Sequence, residues 1–174
     1  DSVPTYNDIL QLRTLFTLQV GSMMNISEKL VAIRERTLVH IFRETENIND
    51  ETIYELNLNK QLTVNGKTFY AEIVENRDQH LTSENNIEYI NGDFLTFPLI
   101  IRKWKHGDKF QPLGLRGTKK VSDFLTESKV NSLERKDSLV LINQNKIIWV
   151  VAKRIDDSVK INKETKRIVK LCLE

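Results

Sequence analysis

Near the start of the chain, apolar residues recur at three- and four-residue spacing in Ile9, Leu10, Leu12, Leu15, Phe16 and Leu18. That period predicts an amphipathic helix over about 7–19, with Gly21 as its stop. The period then drops to two, and residues 38–42, 53–56, 62–64 and 69–73 read as short strands. Asn65-Gly66 separates the last two, and both central positions of a type I′ turn need positive φ, so a hairpin is expected there. Residues 75–86 are polar and unpatterned, and Asn91-Gly92-Asp93 is a further turn signal.

Beyond Pro98 the run 99–101 reads as a strand, followed by a loop dense in glycine and proline: Gly107, Pro112, Gly114 and Gly117. Val121, Phe124 and Leu125 share one helical face, with Thr118 or Ser122 available as the cap, and a second short helix is predicted over 131–136. Strands at 139–142 and 147–151 flank Gln144-Asn145 as a tight hairpin, and 159–161 and 168–173 close the chain as strands. The fold class is therefore α+β. Two small packed domains are expected: 1–95, a helix plus short antiparallel strands, and 96–174, layered β-structure with short helices.

Charge sharpens this division. The 174 residues carry a net charge of +2, but residues 1–97 hold 8 basic and 15 acidic side chains while 98–174 hold 18 and 9. A basic half of this kind suits a polyanionic partner. Apolar residues at 40% and charged ones at 29% fit a folding globular chain and exclude a disordered one. The single cysteine, Cys172, permits no internal disulfide, and no apolar run approaches the roughly 20 residues that span a bilayer. A cytoplasmic protein with no membrane partner is expected. Asp1 in place of an initiator Met predicts further sequence upstream.

Candidate chemistry is sparse. No Gly-x-x-x-x-Gly-Lys, Gly-x-Ser-x-Gly, Cys-x-x-Cys or His-Glu-x-x-His pattern occurs. His106 and Asp108 form a possible acid–base pair, but no nucleophile accompanies them, and a turn explains them equally well. His40 and His80 are too scattered for a metal site. Asp123 and Glu127, four apart, are better explained by ion pairing with Lys119, Lys120 and Lys129. Met23, Met24 and Cys172 read as packing residues. No catalytic residue, metal ligand or cofactor is expected in this chain.

Residues 102–120 differ, with seven cations and two aromatics in nineteen positions. Fixed cations and glycine-exposed backbone N–H groups are what a phosphate needs, and Trp104 and Phe110 offer stacking faces for an unpaired base. The competing reading is a solvated turn with both aromatics in the core. Arg102, Lys105, Lys109, Arg116, Lys119, Lys120, Arg135 and Arg154 are the candidate phosphate contacts, and Gly107, Asp108, Pro112, Gly114 and Gly117 the residues that shape the loop.

The residues Pro98-Leu-Ile-Ile-Arg102, Gly107-Asp108-Lys-Phe110-Gln-Pro112-Leu-Gly114, Gly117-Thr-Lys-Lys120, Asp123-Phe124, Lys129-Val130 and Arg135 resemble the carboxy-terminal domain of the bacterial tRNA(Ile)-lysidine synthetase family. The resemblance is dense over 96–155 and weaker before it, resting there on the helix, Gly21-Ser22 and residues 30–36. Asn131 and Ser138 stand where that family often has proline, and Ala152 where it usually has glycine. The resemblance implies a parent enzyme that uses ATP to ligate lysine to C2 of the wobble cytidine of an isoleucine tRNA, with a Ser-Gly-Gly-x-Asp-Ser loop in an amino-terminal domain. That loop is absent from this chain. The chain is therefore expected to be catalytically inert, to hold the tRNA body and acceptor stem, and to work beside the missing catalytic domain. A similar module in the phenylalanyl-tRNA synthetase β chain implies the layered β-structure. Two alternatives compete with RNA binding: an interaction module docking its basic face on its own enzyme or a protein partner, and DNA binding, which the lack of a helix-turn-helix pattern with a basic recognition helix disfavours.

Overall fold

The computed structural model describes residues 5–27, 30–43, 52–74 and 86–174. It divides into two units, Asp1–Asp50 with Lys129–Asp137, and Glu51–Ser128 with Ser138–Glu174.

In the first unit, α1 (Tyr6–Leu15) begins at a capping box, in which the Thr5 hydroxyl accepts from the Asp8 N–H and the Asp8 carboxylate accepts from the Thr5 N–H. The helix ends four residues before the expected 19. From Phe16 to Leu18 each N–H donates to the carbonyl three residues back, and Phe16 and Leu18 are exposed, so no buried face prolongs the helix. Next come β1 (Met23–Ser27), β2 (Leu30–Arg34) and β3 (Val39–Arg43), an antiparallel sheet in that order. Of these only β3 was expected. In β2 the consecutive Val31, Ala32 and Ile33 are all buried, so the two-residue alternation that marks a half-buried strand is missing.

The second unit holds two larger sheets. β4 (Tyr54–Leu56), β5 (Leu62–Val64), β6 (Lys67–Val74), β7 (Ile87–Asn91) and β8 (Leu99–Lys103) are followed by the ribbon β9 (Lys109–Phe110) and β10 (Lys119–Lys120). After α2 (Val121–Glu127) the chain leaves this unit for α3 (Ser132–Lys136) and returns as β11 (Leu139–Asn143), β12 (Lys146–Val150), β13 (Arg154–Ile155) and β14 (Ile168–Leu173). One sheet runs β13-β12-β11-β8-β4 and the other β5-β6-β14-β7. Both hairpin turns form as expected, with Asn65 and Gly66, and Gln144 and Asn145, all at positive φ.

A boundary near residue 95 does not describe these units. β4 pairs with β8, and β14 lies between β6 and β7, so a cut there would divide both sheets. Two local expectations also change. The strand expected over 159–161 does not form: Asp157–Val159 make a 3-10 turn, because the Asp156 carboxylate accepts the Ser158 N–H and starts a tight turn. The residue before α2 is Lys120, with no side-chain cap, so neither Thr118 nor Ser122 takes that role.

The two sheets share one apolar cluster. Leu99, Ile101, Leu139, Leu141 and Trp149 enter it from the five-stranded sheet, and Phe69, Ala71, Ile90, Val169 and Leu171 from the four-stranded one. Each large side chain buried there contributes about 1.5–3 kcal/mol. The basic loop between β8 and α2 is thus carried on a deeply packed layer.

Candidate nucleic-acid interface

The loop starts with a turn clamped by Asp108. Its carboxylate accepts both Arg102 guanidinium nitrogens, at 2.8 and 2.9 Å, and the Lys105 N–H at 2.7 Å. Burial favours the neutral acid, but these donors outweigh it and hold the carboxyl below its usual value. Arg102 is therefore consumed within the protein, with its side chain only 16% exposed. It shapes the turn and is not displayed as a phosphate contact. The same clamp commits Asp108 to shaping the turn, with three donors already on its carboxylate, which supports the turn reading of His106 and Asp108 over an acid–base pair.

After the turn, β9 and β10 bring two like charges together. Lys109 lies directly opposite Lys120 in the antiparallel register. Directly opposed residues have Cβ atoms about 5 Å apart on one face, and like charges there are destabilising. Both lysines are exposed. Their neighbours in the ribbon, Phe110 and Lys119, point away from that display. Phe110 is buried and packs edge-on against Phe124 with ring centroids 5.1 Å apart, so it is a core residue and not a stacking platform for a base. Lys119 is ion-paired with Glu127, the lysine–carboxylate pairing expected of this helix. Trp104 is half-buried, and its backbone N–H donates to the Ser138 carbonyl at the end of the β8–β11 ladder.

The far side of the loop is tied down by a residue that sequence reading did not single out. Asp156, 0% exposed, accepts the Gln111 N–H at 2.7 Å, the Ser158 N–H at 3.0 Å and the Ser158 hydroxyl at 2.5 Å, with the Lys146 ammonium at 3.1 Å. The Leu113 N–H donates to the Ile155 carbonyl and the Asp157 N–H to the Gln111 carbonyl. Pro112 is buried beneath this seam. Only the segment beyond it projects, with Arg116 exposed between Gly114 and Gly117. Those two glycines and Gly107 have φ of 83°, 84° and 94°, and nothing lies within 4 Å of where a Cβ would stand. Their role in the free protein is backbone conformation, because no protein group crowds them.

Arg154 is exposed on β13, the edge strand, and lines a cleft of about 430 Å³ with Phe124, Ser128, Ala152, Lys153 and Asn86. Through Phe124 and its partner Phe110 the cleft adjoins the strand that carries Lys109. Ala152 has a φ of 56°. An L-residue in that region costs roughly 1–2 kcal/mol, partly offset by the lower entropy of the unfolded chain. Ala152→Gly is accordingly expected to raise the unfolding midpoint by a few degrees in a thermal melt.

Of the eight expected phosphate contacts, Lys105, Lys109, Arg116, Lys120 and Arg154 are exposed in the second unit. Lys109, Arg116, Lys120 and Arg154 have no ion pair among the described residues. Arg102 and Lys119 are ion-paired, and Arg135 belongs to the first unit, where its guanidinium donates to the Ser132 hydroxyl. Among the described residues no group of three His, Cys, Asp or Glu side chains is placed to hold a metal ion. His40 is exposed on β3, and His80 lies outside the described residues.

These features define a class: a layered α+β unit with a cationic loop surface displayed from one sheet. Residues 99–171 match the family model described as the TilS substrate C-terminal domain, and this stretch of the chain is a C-terminal TilS domain. A solved structure described as "Crystal structure of TILS C-terminal domain" has the same fold, with a TM-score of 0.60 over 71% of this chain and 97% of that one at 21% identity. The tRNA(Ile)-lysidine synthase of Parabacteroides distasonis is 35% identical over 100 residues, which are 58% of this chain and 23% of that protein. The enzyme of the same name from Clostridium tetani is 29% identical over 173 residues, 96% of this chain and 36% of that protein. The chain thus spans about a quarter to a third of the length of these curated relatives.

Proposed function

We propose that this chain is the tRNA-binding carboxy-terminal portion of a tRNA(Ile)-lysidine synthase. The observation that carries this reading is the cross-strand pair Lys109 and Lys120, both exposed, with Arg116 exposed in the same loop and Arg154 exposed on the edge strand β13. An anion relieves such a pair, and the backbone phosphates of a folded RNA supply anions at regular spacing. The major groove of A-form RNA is too deep and narrow for side chains to read, so a protein that holds the tRNA body and acceptor stem relies on phosphate and 2′-hydroxyl contacts. In the parent enzyme, ATP adenylates C2 of the wobble cytidine and lysine then joins there. That chemistry belongs to an amino-terminal domain and a cytoplasmic setting. The kinship to the module of the phenylalanyl-tRNA synthetase β chain is part of the same proposal, supported by the two-sheet layering.

Titration of isoleucine tRNA with the purified chain tests this reading. Binding is expected to weaken steeply with salt, with a slope of log K on log salt of roughly −3 to −4 for about four phosphate contacts. The same preparation is expected to show no ATP–pyrophosphate exchange. A chain that ignores tRNA at low salt while binding an isolated catalytic domain would instead be a docking module.

A further inference from the structure

We infer that the apolar surface of the first unit, formed by the outer side of α1 and the uncovered part of β3, is the face on which the rest of the parent synthase packs. This rests on the reading of the chain as one portion of a tRNA(Ile)-lysidine synthase, and it concerns a protein partner, not the tRNA. Fourteen large apolar side chains are exposed among the described residues, and nine of them belong to the first, smaller unit. The five in the second unit come one to an element or loop, which is ordinary for a folded protein. A concentration such as that in the first unit marks an interaction surface.

Its origin is structural. Leu12 and Leu15 of α1 turn inward onto Ile26 and Ala32. Tyr6, Ile9 and Leu10 fall within about a third of the helix circumference on another side, all exposed, and Phe16 at the end of the helix continues that stripe. Arg13 is the one charge within it, and an arginine stem lies readily along an apolar surface. A helix at a protein surface carries one apolar stripe with polar residues opposite, whereas α1 carries two and is built to be covered on both sides. The sheet beneath shows the same shortfall. α1 lies over β1 and β2. Ile41 of β3 stands directly opposite Ala32 of β2, so the two share the helix-bearing face, but Ala32 is fully buried and Ile41 is 50% exposed. One helix covers a sheet that has apolar residues for more.

The occupant comes from outside these 174 residues. Segments 44–51 and 75–85, which lie outside the described residues, hold one large apolar side chain each, Ile48 and Leu81, too little to cover the stripe. A nucleic acid is disfavoured as well, since Arg13 alone among the stripe's side chains would meet its phosphates. The Clostridium tetani enzyme aligns with 96% of this chain over only 36% of its own length, so most of such a synthase lies beyond the matched part. A portion of the same polypeptide docks at high effective concentration, and a stripe of a few side chains suffices for it. A second copy binding from solution would need the larger interface of a stable dimer.

The test sets the full-length synthase beside the 174-residue chain, each as wild type and with Ile9→Asp or Ile41→Lys. Amide hydrogen exchange over 6–18 and 38–42 is expected to be roughly 10-fold or more slower in the full-length enzyme, the protection that follows from covering even one large side chain. Both substitutions fall at exposed positions, so the isolated chain should melt close to wild type. The full-length variants should regain fast exchange in these segments and melt several degrees lower. Equal exchange in the two wild-type proteins, or full-length variants as protected and as stable as wild type, overturns the inference. So does a wild-type chain that dimerises in sedimentation velocity and is made monomeric by Ile9→Asp with no protection gained in the full-length enzyme, which assigns the face to a second copy. The tRNA affinity of the isolated chain should be the same in all three proteins, so a failed tRNA titration bears on the cationic loop and leaves this inference standing.

Discussion

Asp156→Ala is expected to lower the stability of the second unit by about 3 kcal/mol, a fall of roughly 10 °C in its unfolding midpoint. The carboxylate is fully buried, and its removal orphans the Gln111 and Ser158 N–H groups at the seam between loop and sheet edge. A buried donor left without an acceptor costs about 1–3 kcal/mol. The Lys146 ammonium is half-exposed and turns to water, so little of the loss is attributed to it. Asp156→Asn should recover only part of this stability, because every partner is a donor and the amide nitrogen cannot accept. Acid should reproduce the effect in the native protein. Burial works against the charged form, but the hydrogen bonds from Ser158 and Gln111 prevail and depress the Asp156 carboxyl. A carboxyl so depressed stabilises the fold fully above its unfolded value near pH 4, and the contribution is lost as pH falls through the lower folded value. The melting temperature of the native chain should therefore drop below about pH 4, and that of Asp156→Asn more shallowly. Parallel acid profiles for the two proteins would show that Asp156 does not carry the tether.

The largest functional effect is expected from the combined variant Arg116→Ala, Lys120→Ala, Arg154→Ala. All three side chains are exposed and free of ion pairs among the described residues, so their removal should leave the thermal melt nearly unchanged. If each neutralises one phosphate, the salt slope should flatten by about three units, and affinity for tRNA at roughly 0.1 M salt should fall by about 10²- to 10³-fold. Arg102→Ala should behave in the opposite way, costing stability by freeing Asp108 while leaving the salt slope as it was. Wild-type tRNA affinity in the triple variant would make the displayed cations a solvated surface.

The comparison between Arg102 and Lys120 shows what could be read from the chain alone. Local signals with a mechanism in one or two residues were legible: the Asn65-Gly66 and Gln144-Asn145 turns, the short helix after the glycine-rich loop, the strand 168–173, and the concentration of cations from 102 to 120. Each depends on backbone conformation or on periodicity over a few positions, which neighbouring residues determine. The direction of each charge was not legible. Arg102 and Lys120 are equally basic in sequence, but register sets Lys120 against Lys109, while a carboxylate six positions on takes Arg102. The same limit hid the division into units, since β4 with β8 and β14 between β6 and β7 are pairings of residues far apart in the chain. It also hid Asp156, an ordinary acidic turn residue until Gln111, 45 positions earlier, meets it in the fold. Sequence by itself determined the two hairpin turns, the short helix after the glycine-rich loop, the last strand and the store of positive charge. Tertiary structure decided which cations are spent inside the protein and which are displayed, because ion pairing and burial depend on distances that only the packed sheets set.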